Sequence, residues 1–304
     1  MSAQIGAFAV TLVVVAGLVW LPDLTLRIAW FAVVPILPLS FLLNAGLWRA
    51  VCPIATANTI GSSDRGVILG LSLQRSLMVA GMVLLVLLIG ARRITLNTDG
   101  PVLAGLLLAI VAVAFVAGQF VRAKGGFCNS LCPILPVEKL YGQSPMIHVR
   151  NPRCVPCSLC STRGCIDLNP LRSVDAGRDG RAWMRSRMGL FAAAFPGVIL
   201  GYFLVADTDW SGALDVYGSV LGTGLASLLV CGAPVALLQI PSRLAAPLLG
   251  AVSVGMYYWF AAPASVAAFG GPVLLGTTLR WMLLAFVAFW LVRALRSASP
   301  KASR

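Results

Sequence analysis

Cys154-Val-Pro-Cys157-Ser-Leu-Cys160-Ser-Thr-Arg-Gly-Cys165 is the densest cysteine run in the chain, and the contrast with its flanks decides the fold. The run lies in a polar, basic stretch, Arg122 to Arg187, that holds six of the eight cysteines: Cys128, Cys132, Cys154, Cys157, Cys160 and Cys165. On both sides of that stretch the sequence turns apolar. Over 304 residues, 59% are hydrophobic and 11% charged, and the mean hydropathy is +0.91. A soluble domain carries about a quarter charged residues. The composition therefore excludes a soluble globular protein and requires one that spans a lipid bilayer.

In lipid, backbone N–H and C=O groups must be satisfied within their own segment, so the apolar runs are expected to be helices. Roughly 20 apolar residues are needed to cross the hydrocarbon. Eight runs qualify: Ile5–Leu21, Ile28–Trp48, Arg75–Ala91, Pro101–Val121, Met188–Ala206, Ser219–Ile240, Ala245–Ala262 and Pro272–Leu295. Pro22 and Asp23 end the first, and Pro35 and Pro38 are expected to bend the second. The fold class expected is an all-α integral membrane protein of eight spans. A four-helix bundle (1–121) and a second one with a basic tail (188–304) would flank a ferredoxin-like cysteine loop (122–187).

Charge assigns the sides. Arg49, Arg65 and Arg75 fall in one connection, eleven basic residues in 122–187, Arg243 in another, and Arg293, Arg296, Lys301 and Arg304 in the tail. These segments alternate onto one side. The other side holds Asp23 with Arg27, then Asp207, Asp209 and Asp215, then the uncharged turn 263–271; only Arg92 and Arg93, beside Asp99, dissent. The positive-inside rule puts both termini and the cysteine loop in the cytoplasm, in a bacterial inner membrane. The net charge of +13 is accounted for in this way, and no nucleic-acid partner is expected. Residues 2–21 lack a basic leader and a small-x-small cleavage site, so the first run is expected to stay as an anchor. His148 is the only histidine, which excludes a bis-histidine haem.

Close spacing lets a tight loop turn four sulfurs inward, so Cys154, Cys157, Cys160 and Cys165 suit one [4Fe–4S] cluster. The run is similar to the bacterial ferredoxin pattern C-x2-C-x2-C-x3-C-P, with a last gap of four and Ile166 where proline is usual. A structural zinc site and a disulfide knot are the alternatives. Zinc sites usually offer two cysteine pairs with a longer spacer, and disulfides need an oxidising compartment. Asn151-Pro152 and Pro156 keep the loop extended. Arg150, Arg153, Arg163 and Arg172 surround it with positive charge that would raise a cluster's potential, or simply follow the positive-inside bias.

An internal repeat precedes the run. Asn44-Ala-Gly-Leu-Trp-Arg-Ala-Val-Cys52-Pro53-Ile54 aligns with Lys124-Gly-Gly-Phe-Cys128-Asn-Ser-Leu-Cys132-Pro133-Ile134 at an offset of 80 residues. Trp48 stands where Cys128 stands. Each unit is two helices closed by a Cys-Pro elbow, and paired repeats commonly build a site at their seam. The bland reading is that each Cys-Pro only ends a helix. Cys231, inside the sixth run, reads as a packed core residue. Arg280, inside the last run, requires a partner, with Asp215 a candidate, or snorkels to the interface. Segment 178–187, with Trp183 and Met184 among arginines, reads as an interfacial lead-in to the fifth run.

Helix pairs closed by C-x3-C-P, complete at Cys128–Pro133 and degenerate at Trp48–Pro53, followed by the Cys154–Cys165 run, resemble the membrane-bound polyferredoxins of the NapH, NosR and FixG/RdxA type. The resemblance covers about residues 1–170; the family's usual second ferredoxin run is absent, and 188–304 carry no assigned motif. It implies an electron-transfer subunit of a respiratory-type complex, relaying electrons between a quinol pool or membrane partner and another redox carrier. The implied partners are other membrane or cytochrome-type redox subunits, the bilayer and a quinone. The simplest ligand set is Cys154, Cys157, Cys160 and Cys165. Ferredoxin logic also allows Cys132 to complete the triplet Cys154, Cys157 and Cys160, with Cys165 joining Cys52 and Cys128 in a second site; Cys52, Cys128 and Cys132, with Cys165 or Cys231, are also numerous enough for a second iron–sulfur centre. Two rival readings remain: a transporter or scaffold with a structural or regulatory cluster, and a reductase used in maturing another metalloenzyme.

Overall fold

The computed structural model describes residues 2–61, 66–67, 69–121, 126–147 and 180–298. The run Cys154–Cys165, with His148 and Arg150 to Arg172, lies outside them. The described chain is helical, and among these residues the only β pairing is an isolated bridge between Val67 and Val121. The helices are α1 (Ser2–Trp20), α2 (Pro22–Ile28), α3 (Val34–Val51), α4 (Pro53–Ile60), α5 (Leu71–Ala91), α6 (Gly100–Phe120), α7 (Leu135–Tyr141), α8 (Gly180–Met184), α9 (Arg187–Leu204), α10 (Ala213–Leu237), α11 (Ser242–Ala268) and α12 (Val273–Ala298). Short π-helical turns, Ala29–Val33 and Arg92–Leu96, join α2 to α3 and extend α5.

Seven helical stretches are long and apolar enough to cross a membrane: Pro22–Ile60, Ser72–Leu96, Gly100–Phe120, Arg187–Leu204, Trp210–Leu237, Ser242–Ala268 and Val273–Ser297. The chain is an all-α, multi-pass membrane protein. The sequence led us to expect eight spans. The difference is α1, whose apolar stretch among the described residues is the shorter Phe8–Trp20.

Pro35 comes just after the π-helical turn Ala29–Val33, inside one continuous helical run. The sharp break comes later. Asn44 leaves the helix with φ −171° and ψ 118°, inside α3. The break frees the carbonyls of Leu42 and Leu43, and the N–H groups of Met146 and Ile147 fill them at 3.0 and 2.9 Å. The Asn44 side chain donates to Ile147 O at 2.8 Å and accepts from Gly46 N at 2.7 Å. A broken helix survives at membrane depth only when its freed groups find such partners. Segment 126–147 is thereby stitched into the bundle. Trp290 Nε1 donates to Ser144 O at 2.8 Å and Arg293 donates to Met146 O at 2.7 Å.

The main core joins three parts of the chain: Phe41 and Leu42 before the elbow segment, Leu140, Tyr141 and Trp183 around it, and Phe195, Val254, Tyr258 and Trp290 after it. A second cluster, Leu18, Leu26, Leu96, Leu103 and Ala104, packs α1 and α2 on α6.

The tightest crossing is α9 on α10. Ala193, Gly197 and Gly201 recur every four residues on one helix, and Ser219, Thr223 and Ser227 on the other. A Cβ on Gly197 would stand 2.0 Å from Thr223 O. Each hydroxyl donates to a carbonyl of α9: Thr223 to Gly197 at 2.7 Å, Ser227 to Ala193 at 2.8 Å and Ser219 to Gly201 at 3.2 Å. Lipid supplies no hydrophobic force between helices, so small residues and hydroxyls hold them together.

Candidate functional site

The elbow between α6 and α7 places Cys128 and Cys132 one turn apart. Ser130 N and Cys132 N both donate to Phe127 O, at 3.1 and 2.9 Å, and Ser130 Oγ donates to Gly126 O at 2.7 Å. The turn lies against two long helices. A Cβ on Gly126 would meet Ala117 O of α6 at 2.6 Å, and one on Gly81 of α5 would meet Leu131 O at 2.8 Å. Gln74 donates to Asn129 O at 3.0 Å. Only glycine at these positions lets the elbow backbone sit so close.

Cys52 sits at the equivalent point of the first unit. Its backbone is extended, with φ −68° and ψ 120°, and Pro53 opens α4 behind it. Thr56 N and Oγ1 both donate to Cys52 O at 3.0 Å. Residues six past each elbow cysteine then do parallel work. Asn58 is fully buried and donates to Ala114 O of α6 at 2.8 Å. Glu138, at the offset of 80, is buried and bonds Arg49 of α3 through both guanidinium edges, Nε to Oε1 and Nη2 to Oε2, the latter at 3.1 Å. Each elbow helix thus carries one buried polar group to the other unit's long helix.

Cys52 and Cys132 are free thiols. Burial, then the neighbouring Cys128 thiol, pushes the Cys132 thiol up to about 12; the Ile134 N–H works against this, and Cys52 and Glu138 add to it. Arg49 and Glu138 are also electrostatic neighbours of Cys52. The three thiols and the ion pair therefore share one neighbourhood. At neutral pH Cys132 is protonated there, and only an added cation or metal would draw off its proton. Among the described residues, no three Cys, His, Asp or Glu side chains stand close enough to hold a metal ion. Cys231 lies on α10, partly buried, with Ser227 Oγ at 3.8 Å from its sulfur.

The elbow shares its end of the bundle with Ile147 and with Arg293 near the end of α12. Gly180, where the described chain resumes, abuts Val235 O and Ile240 O, at the α10–α11 turn on that end. Ile147 and Gly180, the described residues that flank 148–179, thus both stand at the elbow end.

The turns at the opposite end meet around a cavity of about 830 Å³. Asp23 and Arg27, Arg92 to Thr98, Asp207, and Ser265 all line it, so the four connections assigned by charge to one side do converge. The two dissenting arginines are held here. Arg93 pairs with Asp207 at 3.0 Å and donates to Tyr202 O at 3.0 Å. Arg92 lies over the Trp30 ring, 3.8 Å from its centre. Arg280 stacks on Trp259 at 4.7 Å, and not on the expected Asp215. The sequence reading missed this aromatic–arginine end, and the α9–α10 stripe as well. Period-four spacing of small residues was the available signal for the stripe.

Fold and site define an all-α multi-pass membrane protein with a buried double Cys-Pro elbow at one end. No family model, curated protein or solved structure matches the chain.

Proposed function

We propose that this protein is a membrane-anchored iron–sulfur electron-transfer subunit, relaying electrons between a quinol pool or membrane partner and another redox carrier in a larger respiratory-type complex. One observation carries the reading: a run with ferredoxin-like cysteine spacing follows a C-x3-C-P elbow whose thiols sit at the end of the bundle where the run begins. Cys154, Cys157, Cys160 and Cys165 would hold the cluster, which supplies one-electron chemistry when bound. A second iron–sulfur centre involving Cys52, Cys128 and Cys132 would need a further ligand from the cysteine run and is not part of this proposal.

The chain's own residues define the setting. Arg49 and Glu138 lock α7 to α3, so the elbow is fixed relative to the bundle. Tyr141 and Leu140, at most 1% exposed, anchor α7 in the main core. The basic connections at the elbow end support a cytoplasmic setting in a bacterial cell. Electron paramagnetic resonance on native membranes tests the reading. A cluster signal should appear on reduction and respond to added quinol. A chain whose membranes show no such signal, with the chain abundant, contradicts it.

A further inference from the structure

We propose that the cavity at the end opposite the cysteines is a binding site for a phosphate-class oxyanion, supplied by an anionic lipid headgroup or by free phosphate. The inference is independent of the iron–sulfur reading. It starts from the different fates of two neighbouring arginines. Arg93 is committed: it pairs with Asp207 and stacks on Tyr202 at 4.2 Å. Asp207 Oδ1 is committed too, accepting Asn97 Nδ2 at 2.7 Å as well. Arg92 makes no ion pair among the described residues, and Asp207, already bonded to Arg93, reaches it only at longer range. Its guanidinium carbon lies 3.8 Å from the Trp30 ring centre and 4.8 Å from that of Tyr202, and its Nε donates to Asn97 Oδ1 at 3.3 Å.

A guanidinium flanked by two rings keeps its terminal N–H groups in its own plane, the fork that matches a phosphate or carboxylate edge. Trp30 is itself pinned by a 2.9 Å bond from Nε1 to Leu96 O, so the stack is preorganised. Arg27 stands exposed on the rim. Of the five charged residues lining the cavity, Arg27, Arg92 and Arg93 outnumber Asp23 and Asp207, leaving one positive charge. Ser265 lines the same space, and its buried Oγ has no hydrogen-bond partner among the described residues. An unpaired cation and an unsatisfied hydroxyl in one cavity call for a ligand rich in acceptors. Leu26, Phe31 and Phe203 make the remaining wall apolar, which suits a headgroup that enters with its chains in the bilayer.

The test is the melting temperature of the full chain in detergent, titrated with phosphatidylglycerol, with diacylglycerol of the same chains, or with inorganic phosphate. Phosphatidylglycerol should raise the midpoint saturably and diacylglycerol should not. Arg92→Gln should abolish the shift and Arg27→Gln should raise half-saturation about tenfold, the value of one charge-assisted contact. If Arg92→Gln does not fold, Arg92→Lys, which keeps the charge but not the fork, should weaken binding instead. An Arg92-dependent shift with inorganic phosphate alone supports the same site and identifies free phosphate as the source. Equal shifts with both lipids, or shifts unchanged in the Arg27 and Arg92 variants, would overturn the proposal.

Discussion

The two ends of the helical bundle handle charge in opposite ways. At the elbow end Arg49 and Glu138 neutralise each other in a pair whose side chains are 10% and 9% exposed, beside the Cys132 thiol, which burial keeps protonated at neutral pH. At the other end Arg92 is held by ring faces, and Arg93 by a carboxylate that is 42% exposed. The first arrangement closes a surface and fixes the elbow helix. The second leaves a cation facing a cavity. A buried pair in low dielectric contributes through geometry rather than net attraction; a stacked arginine keeps its donors available. The difference separates an end built to hold a rigid loop from an end built to receive something.

The largest expected effect is chemical. In metal-free protein that keeps all its cysteines, the Cys132 thiol, pushed up to about 12, has a thiolate fraction at pH 8 about a thousandfold below that of an ordinary cysteine. Maleimide labelling followed by mass spectrometry should be slow to that degree and accelerate as pH rises. Labelling as fast as that of a free peptide thiol would show that the elbow is open. Next comes the ion pair. Glu138→Ala leaves Arg49 without its carboxylate and should cost about 3–5 kcal/mol, whereas Arg49→Met with Glu138→Leu should recover most of it. Denaturation in mixed detergent micelles measures both, and an equal loss in the double variant would refute the role assigned to the pair.

Helix packing gives a smaller effect with an internal control. Gly197→Ala drives a Cβ toward Thr223 O and should destabilise by about 1–3 kcal/mol. Gly222→Ala, with nothing within 4 Å of its Cβ, should be neutral or stabilising. Matching results for the two would remove the small-residue seam as the cause. Asp207→Asn should cost least, below about 1 kcal/mol, because that pair is open to solvent. A loss as large as that of Glu138→Ala would erase the contrast between the ends.

Much of this was legible in the sequence because hydropathy and charge act over single segments. Span positions followed from run lengths, and the grouping of the 21–27, 92–99, 207–215 and 263–271 turns followed from alternation. Features that depend on distant partners were not legible. Pro35 and Pro38 drew attention as bends, but the break is at Asn44, made tolerable by Met146 and Ile147 about a hundred residues away. Arg92 and Arg93 looked like exceptions to a charge rule until Trp30, Tyr202 and Asp207 came beside them. Asn58 and Glu138 shared an offset with the elbow cysteines, yet nothing local marked them as cross-links between the units. The period-four stripe on α9 and α10 was in plain view and needed only a membrane-specific reading.

The most direct test is the iron and acid-labile sulfide content of anoxically purified full-length chain, beside a Cys157→Ser variant. The account predicts about four irons and four sulfides per chain, lost in the variant. Iron-free protein, or zinc in place of iron, would contradict it.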